Sequence, residues 1–232
     1  MLRVAVGRIP DAPDAGDGAA PAWLGHAEQR RWTRLSPVSR GEFVASRALL
    51  RELLQAATGV PAQRWDVSAE AGMAPVARTD SVAVPAAAPH VSLSHRLGWV
   101  AAAVAGVRVG VDVECDRPTR SDPAERAALM LAASELPAWR VLAADEREAD
   151  LLTRWTAKEA WFKASPPDAA PWDFRHVAAR ACEPAQANVR TWRSPPLHVA
   201  VCCADAQALA GAVCEGVSAA AAAGSYWHVA RA

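Results

Sequence analysis

Net charge is missing from this chain. Its 25 basic and 25 acidic residues cancel, so no overall field gathers nucleic acid, and an anionic ligand must be held by local charge. Long apolar runs are missing too. No stretch reaches the ~18–20 apolar residues of a membrane span. Pro10, Asp11 and Asp14 break the N-terminus before a signal peptide's apolar core is complete. The five cysteines, Cys115, Cys182, Cys202, Cys203 and Cys214, are odd in number and show no CxxC spacing. That argues against a disulfide framework and for reduced cysteines in a cytoplasmic protein. A glycine-rich phosphate loop is also lacking, which disfavours the nucleotide chemistry built on one.

What the chain has in quantity is alanine, which raises the hydrophobic content to 52%. With arginine and proline it reads as base composition more than as function. A length of 232 residues allows one large domain or two small ones.

Residues 2–9 alternate weakly and read as a strand, 11–20 as a loop, and 22–35 as a helix rich in arginine (Arg30, Arg31, Arg34). Ser36-Pro37 is a strong helix start, an N-cap followed by proline at the first helical position. This helix carries an apolar stripe through Phe43, Leu50 and Leu54 and ends at Gly59. Arg40 and Arg47 lie two turns apart on one side of it, spaced to reach a single phosphate-bearing ligand. The alternative is that they are solvated helix charges. A short strand at 63–68 and a Pro/Ala-rich loop at 70–89 follow. Residues 91–96, 99–105 and 107–114 then read as three strands in an antiparallel meander with glycine turns. Ser94, His95 and Arg96 stand at a turn, where a hydroxyl, an imidazole and a guanidinium suit a phosphate; alternatively His95 caps the turn.

Ser121-Asp122-Pro123 starts a helix through Met130, 134–143 reads as a second, and 145–164 as a long third. Beyond Pro166, Pro167 and Pro171 come strands at 189–192, 197–203, 209–217 and 226–229. The pair 197–203 and 209–217, with a polar turn at Asp205, echoes the earlier hairpin. The pattern suggests a pseudo-repeat with an active site where two halves meet, at 1–108 and 109–232.

Two stretches carry the chemistry. In Gly110-Val111-Asp112-Val113-Glu114, the valines point one way and Asp112 and Glu114 the other, because side chains alternate across a strand. In Trp155-Thr156-Ala157-Lys158-Glu159-Ala160-Trp161-Phe162-Lys163, Trp155, Glu159 and Lys163 stack on one helical face. Trp161 and Phe162 lie off that face, toward a core. Three carboxylates from two elements suit a hard cation such as Mg²⁺, which keeps positions open for substrate phosphates. Taken alone, Glu159 and Lys163 would be an ordinary helix-surface pair.

These two stretches, with Val91-Ser92-Leu93-Ser94-His95 upstream and Phe43-Val44-Ala45-Ser46-Arg47-Ala48-Leu49-Leu50-Arg51 before it, resemble the 4′-phosphopantetheinyl transferases, specifically the surfactin-synthetase-activating, two-halves-in-one-chain type. The resemblance spans residues 30–163. It implies an α+β fold of two pseudo-symmetric halves, each a small antiparallel sheet packed with helices, with the active site at their interface. It implies Mg²⁺-dependent transfer of the 4′-phosphopantetheine of coenzyme A to a serine of an apo acyl or peptidyl carrier protein, in fatty-acid or secondary-metabolite biosynthesis. Adenosine 3′,5′-bisphosphate would be released. Asp112, Glu114 and Glu159 would bind the metal. Glu159, or a water it holds, would be the base, and Lys163 would neutralise phosphate or pass a proton. Ser94, His95, Lys158 and Lys163 would contact coenzyme A phosphates, and Arg31, Arg40 and Arg47 the adenosine 3′-phosphate. A carrier would dock beside residues 121–143, and a monomer is expected.

Three places depart from that family's pattern. Gly72-Met73-Ala74-Pro75 stands where a Gly-Lys-Pro is usual, with Arg78 as a substitute for the lysine. Arg96 replaces a small or polar residue, and Ser165-Pro166-Pro167 replaces glycines. The missing lysine motivates an alternative, a catalytically impaired relative that binds coenzyme A or carrier without transfer. A third reading, another Mg²⁺-dependent phosphoryl or nucleotidyl enzyme, lacks support from the Ser94-His95 motif.

Overall fold

The structure is a computed structural model that describes residues 1–9, 19–68, 74–81, 88–116, 122–166 and 173–232. The first half runs β1 (Leu2–Arg8), α1 (His26–Trp32), α2 (Pro37–Thr58), β2 (Asp66–Ser68), β3 (Val76–Arg78), β4 (His90–Arg96) and β5 (Trp99–Ala105). The second runs β6 (Val109–Cys115), α3 (Pro123–Met130), α4 (Leu136–Arg140), α5 (Ala144–Ala164), β7 (Val177–Ala181), β8 (Val189–Ser194), β9 (Leu197–Cys203), α6 (Ala206–Ala210), β10 (Cys214–Glu215) and β11 (Ser225–Arg231).

The fold is α+β. Sheet order is β10-β1-β5-β4 in one sheet and β6-β9-β8-β11-β7 in the other, with β2 and β3 as a separate pair. The triplets β1-β5-β4 and β6-β9-β8 repeat one plan, in which a leading strand pairs with the second strand of a later hairpin. Helix α2 covers the first sheet, packing Leu50, Leu53 and Leu54 on Ala5, Val91, Ala102 and Val104. Helix α5 covers the second, packing Ala157 and Ala160 on Ala200 and Cys202. The inner faces meet in one core, Val4, Val6, Ala101 and Ala103 against Val111, Val113, Val199 and Val201.

The sequence cues for α2 hold at both ends. Ser36 Oγ accepts from Ser39 N at 3.3 Å, and Gly59 closes the helix at φ 75°, a left-handed conformation that glycine adopts without steric cost. Two expectations fail. Residues 107–114 do not extend the meander, because β5 already has β1 and β4 on its two edges; β6 pairs with β9 instead. Residues 209–217 are not one strand. Asp205 Oδ1 accepts from Ala208 N at 2.9 Å and starts α6, and only β10 is extended, pairing parallel to β1. The counterpart of the β4–β5 hairpin is therefore β8–β9. Strands β3 and β7 arise in stretches that carry no strand signal.

Helices α1 and α2 are joined by a buried charge cluster. Glu28 Oε1 lies 3.1 Å from Arg47 Nε and accepts from Arg51 Nη1 at 3.1 Å, while Gly25 N donates to Oε2 at 2.9 Å. Burial pulls Arg47 down to about 10, with Glu28 acting against it. Glu28→Ala strands two buried guanidiniums. It is expected to lower unfolding free energy by about 3–5 kcal/mol, read from the denaturant midpoint. Asp80→Ala, which breaks the exposed Arg64–Asp80 pair, should leave that midpoint nearly unchanged.

Candidate active site

Strand β4 is the edge of the first sheet and β6 the edge of the second, and side chains stitch them together. Ser92 Oγ accepts from Val111 N at 3.0 Å. Ser94 Oγ donates to Asp112 Oδ1 at 2.8 Å. Arg96 Nε stands 3.0 Å from Glu114 Oε2. These three residues alternate along β4, so they share the face that looks onto β6.

Helix α5 meets β6 from the other side. A Cβ at Gly110 would lie 2.0 Å from Ala160 O and 2.6 Å from Ala164 N, so the helix backbone rests directly on the glycine. This closeness brings Lys163 Nζ to 2.7 Å from Asp112 Oδ1 and 3.2 Å from Val111 O. The chain has only two lysines, Lys158 and Lys163.

Glu159 is one helical turn before Lys163. Its carboxyl is pushed up to about 7, first by burial, then by the charge of Asp112, with Glu114 adding to it and Lys163 opposing. Asp112 Oδ2 is buried without a hydrogen-bond partner among the described residues. Oxygen-only donors, an orphaned carboxylate oxygen and mutual repulsion among acids are what a hard divalent cation relieves. As arranged here, Lys163 and Arg96 already neutralise two of the acids. Among the described residues no group of three or more His, Cys, Asp or Glu stands close enough together to hold an ion.

The sequence-predicted residues fall into distinct places. Asp112, Glu114, Glu159, Lys163 and Ser94 come together. Ser94 is buried against Asp112, so it orients that carboxylate. Exposed His95 turns to Glu42, Nδ1 to Oε2 3.5 Å. With Arg31, Arg47, Phe43 and Pro75 it lines a cavity of about 360 Å³. Arg31, Arg47 and Phe43 also line an adjoining cavity of about 570 Å³ together with Arg30 and Arg78. Gly72 and Met73 lie outside the described residues. Arg40 lines neither cavity; its guanidinium stacks 4.1 Å from the Trp32 ring centroid. Arg40 and Arg47 therefore do not converge on one ligand, because Arg47 is drawn inward by Glu28.

Lys158 is a correction. Its side chain is 0% exposed and paired with Glu135, and its ammonium donates to Met130 O at 2.8 Å. One residue before Glu159, it points about 100° away around the helix, into the seam with α3 and α4. It braces the fold and does not face a phosphate. Of the two aromatics expected in the core, Trp161 packs partly and Phe162 is exposed. Sequence reasoning missed Glu135, which also accepts from Ala132 N at 2.8 Å and Ala179 N at 3.1 Å, and the Arg96–Glu114 contact. No local pattern links residues so far apart in sequence.

Residues 108–214 match the family model of the 4′-phosphopantetheinyl transferase superfamily. That span holds β6 and α5, and with them Asp112, Glu114, Glu159 and Lys163; it leaves out β4 and α2. No curated protein matches the chain. Among solved structures it is similar to the crystal structure of Thermotoga maritima holo-(acyl-carrier-protein) synthase, at 23% identity, covering 50% of this chain and 69% of that one with a TM-score of 0.37. Among the described residues no helix is long and apolar enough to cross a membrane.

Two predictions follow the geometry. Gly110→Ala must push α5 off β6, since the clash is with backbone; a loss of about 1–3 kcal/mol is expected, with weaker Lys163–Asp112 pairing. Equal thermal midpoints for wild type and Gly110→Ala would contradict the close contact. The second concerns Glu159. Its folded-state value is raised, so the stabilising effect of its protonated form is complete below the ordinary glutamate range and disappears as pH rises through about 7. In metal-free buffer Glu159→Gln should match wild type near pH 4 and exceed it at pH 8, by at most about 3 kcal/mol, in thermal melts across that range.

Proposed function

We propose that this chain is a 4′-phosphopantetheinyl transferase of the surfactin-synthetase-activating type, acting on coenzyme A and an apo acyl or peptidyl carrier protein. The observation that carries this reading is the meeting of Asp112, Glu114, Glu159 and Lys163 at the β6–α5 contact, inside the span that matches the family model. The halves 1–108 and 109–232 divide the work. The first supplies the cavity lined by Arg31, Arg47 and Arg78 for the adenosine 3′-phosphate, and the second the acids and the lysine.

In the reaction, the carrier serine Oγ forms a bond to the β-phosphorus of the coenzyme A pyrophosphate. The bond from that phosphorus to the bridging oxygen breaks, and the 5′-phosphate of adenosine 3′,5′-bisphosphate departs with the electron pair. Glu159, directly or through a water, takes the serine proton; a base whose value lies near neutrality is well matched to that task. Lys163 Nζ holds Asp112 in place and puts positive charge beside the pyrophosphate oxygens. Asp112, Glu159 and Glu114 would have to draw closer together to hold Mg²⁺, whose chemistry would be to neutralise charge on a pyrophosphate and its leaving group. His95, which lines the adjoining cavity with Arg31 and Arg47, would contact the phosphates. Transfer of this kind depends on positioning and charge more than on covalent help from the protein. Leu129 on α3 and Val141 at the end of α4, both exposed, offer apolar contacts for the carrier. One chain contains both halves, so a monomer suffices.

The test is a transfer assay. Protein, coenzyme A, Mg²⁺ and apo carriers of the acyl and peptidyl kinds are mixed, and the carrier's intact mass is followed. A gain of one phosphopantetheinyl group is expected, and Glu159→Gln should slow it by at least about 10²-fold with the fold intact by circular dichroism. Binding of coenzyme A with no mass gain on any carrier would favour the impaired relative instead.

A further inference from the structure

Strand β4 presents different chemistry on its two faces. Ser92, Ser94 and Arg96 look onto β6 and the acids, so the intervening Leu93 and His95 look the other way, toward α2. There they share the cavity of about 360 Å³ with Arg31, Phe43 and Arg47. Phe43 gathers the two guanidiniums, its ring centroid 5.7 Å from Arg31 Cζ and 4.7 Å from Arg47 Cζ. Arg47 is already countered by buried Glu28. An acid lines the same cavity: Glu42, the residue before Phe43 on α2. On charge alone it is out of place where a phosphate binds, since like charges repel.

Glu42 has a partner that accounts for it. Its Oε2 stands 3.5 Å from His95 Nδ1, with the two side chains 29% and 59% exposed. Exposure of this order makes the pair a weak contributor to stability and leaves it open to a ligand. What the pair fixes is orientation: a carboxylate that holds Nδ1 leaves Nε2 for a second partner. Resting on the transferase reading above, we infer that Glu42 is a positioning residue for the 3′-phosphate of coenzyme A. It holds His95 by Nδ1, so that Nε2 donates to that phosphate beside Arg31. Both ring nitrogens then carry protons, and the imidazolium stands between two anions as a charge-assisted donor to each. The acid thereby supports the phosphate instead of repelling it.

The test is a calorimetric titration of the full chain with coenzyme A and with 3′-dephospho-coenzyme A, without carrier or Mg²⁺. Wild type should bind coenzyme A the more tightly. Glu42→Gln, which keeps the shape and removes the charge, should weaken coenzyme A about three- to tenfold, with dephospho-coenzyme A changed by less than about twofold. In a His95→Ala background the same substitution should bring no further loss, because the carboxylate acts through the ring. Thermal melts confirm that each variant folds. Glu42→Gln binding coenzyme A as tightly as wild type, or more tightly, overturns the proposal, and so does a loss shared equally by dephospho-coenzyme A. In either case the transferase reading stands if a carrier still gains mass. A wild type with no preference between the two compounds also overturns the proposal, and one that in addition modifies no carrier overturns both.

Discussion

Helix α5 can lie against strand β6 only because position 110 carries no side chain. The helix backbone comes so near that a single methyl group would overlap Ala160 O. Everything at the site inherits that distance. Lys163 reaches across to Asp112 and Val111, and Glu159 is held where the fields of Asp112 and Glu114 act on it. On its other edge β6 is bound to β4 by Ser92, Ser94 and Arg96 rather than by a continuous backbone ladder. Along the β4–β6 edge the join between the two sheets is thus a row of polar side chains, and the same row sets the orientation of the acids.

Charge in this protein is organised by burial more than by number. Net charge is zero, but buried acids and bases are gathered in small, compensated groups. Glu28 serves two arginines between α1 and α2. Glu135 serves Lys158 and Arg154 between α4, α5 and β7. Such clusters cost desolvation and do little for stability as charges. They do fix where helices sit. Glu159 is different, since acids crowd it and its nearest cation is already shared with Asp112. A group left poorly compensated in a converging site is what functional chemistry requires; in the brace clusters the excess is of cations, two to each glutamate.

Much of the fold was legible along the chain. The N-cap serine, proline and terminal glycine bound α2 closely, and the valine alternation marks β6. Those cues are local: each depends on a residue's own backbone preference or on side-chain alternation within one element. The hairpin partner of β9 was misplaced because alanine- and leucine-rich sequence suits helix and strand alike, and Asp205 decided for the helix. Lys158 was misread for a related reason. Adjacency to Glu159 in a motif places it on a different face of the helix, and the deciding partner, Glu135, is far away in sequence.

By itself the sequence determined which residue types stand on which face: two acids on one side of β6, and a glutamate and a lysine one turn apart on α5. Those follow from the periods of strand and helix. Only the tertiary structure decided which charges meet, that Arg47 turns inward to Glu28 and Arg40 out onto Trp32, that Lys158 is enclosed, and that Arg96 faces Glu114. Ion pairs and desolvation act between elements distant along the chain, and their sign and strength are set by burial, which no local pattern encodes.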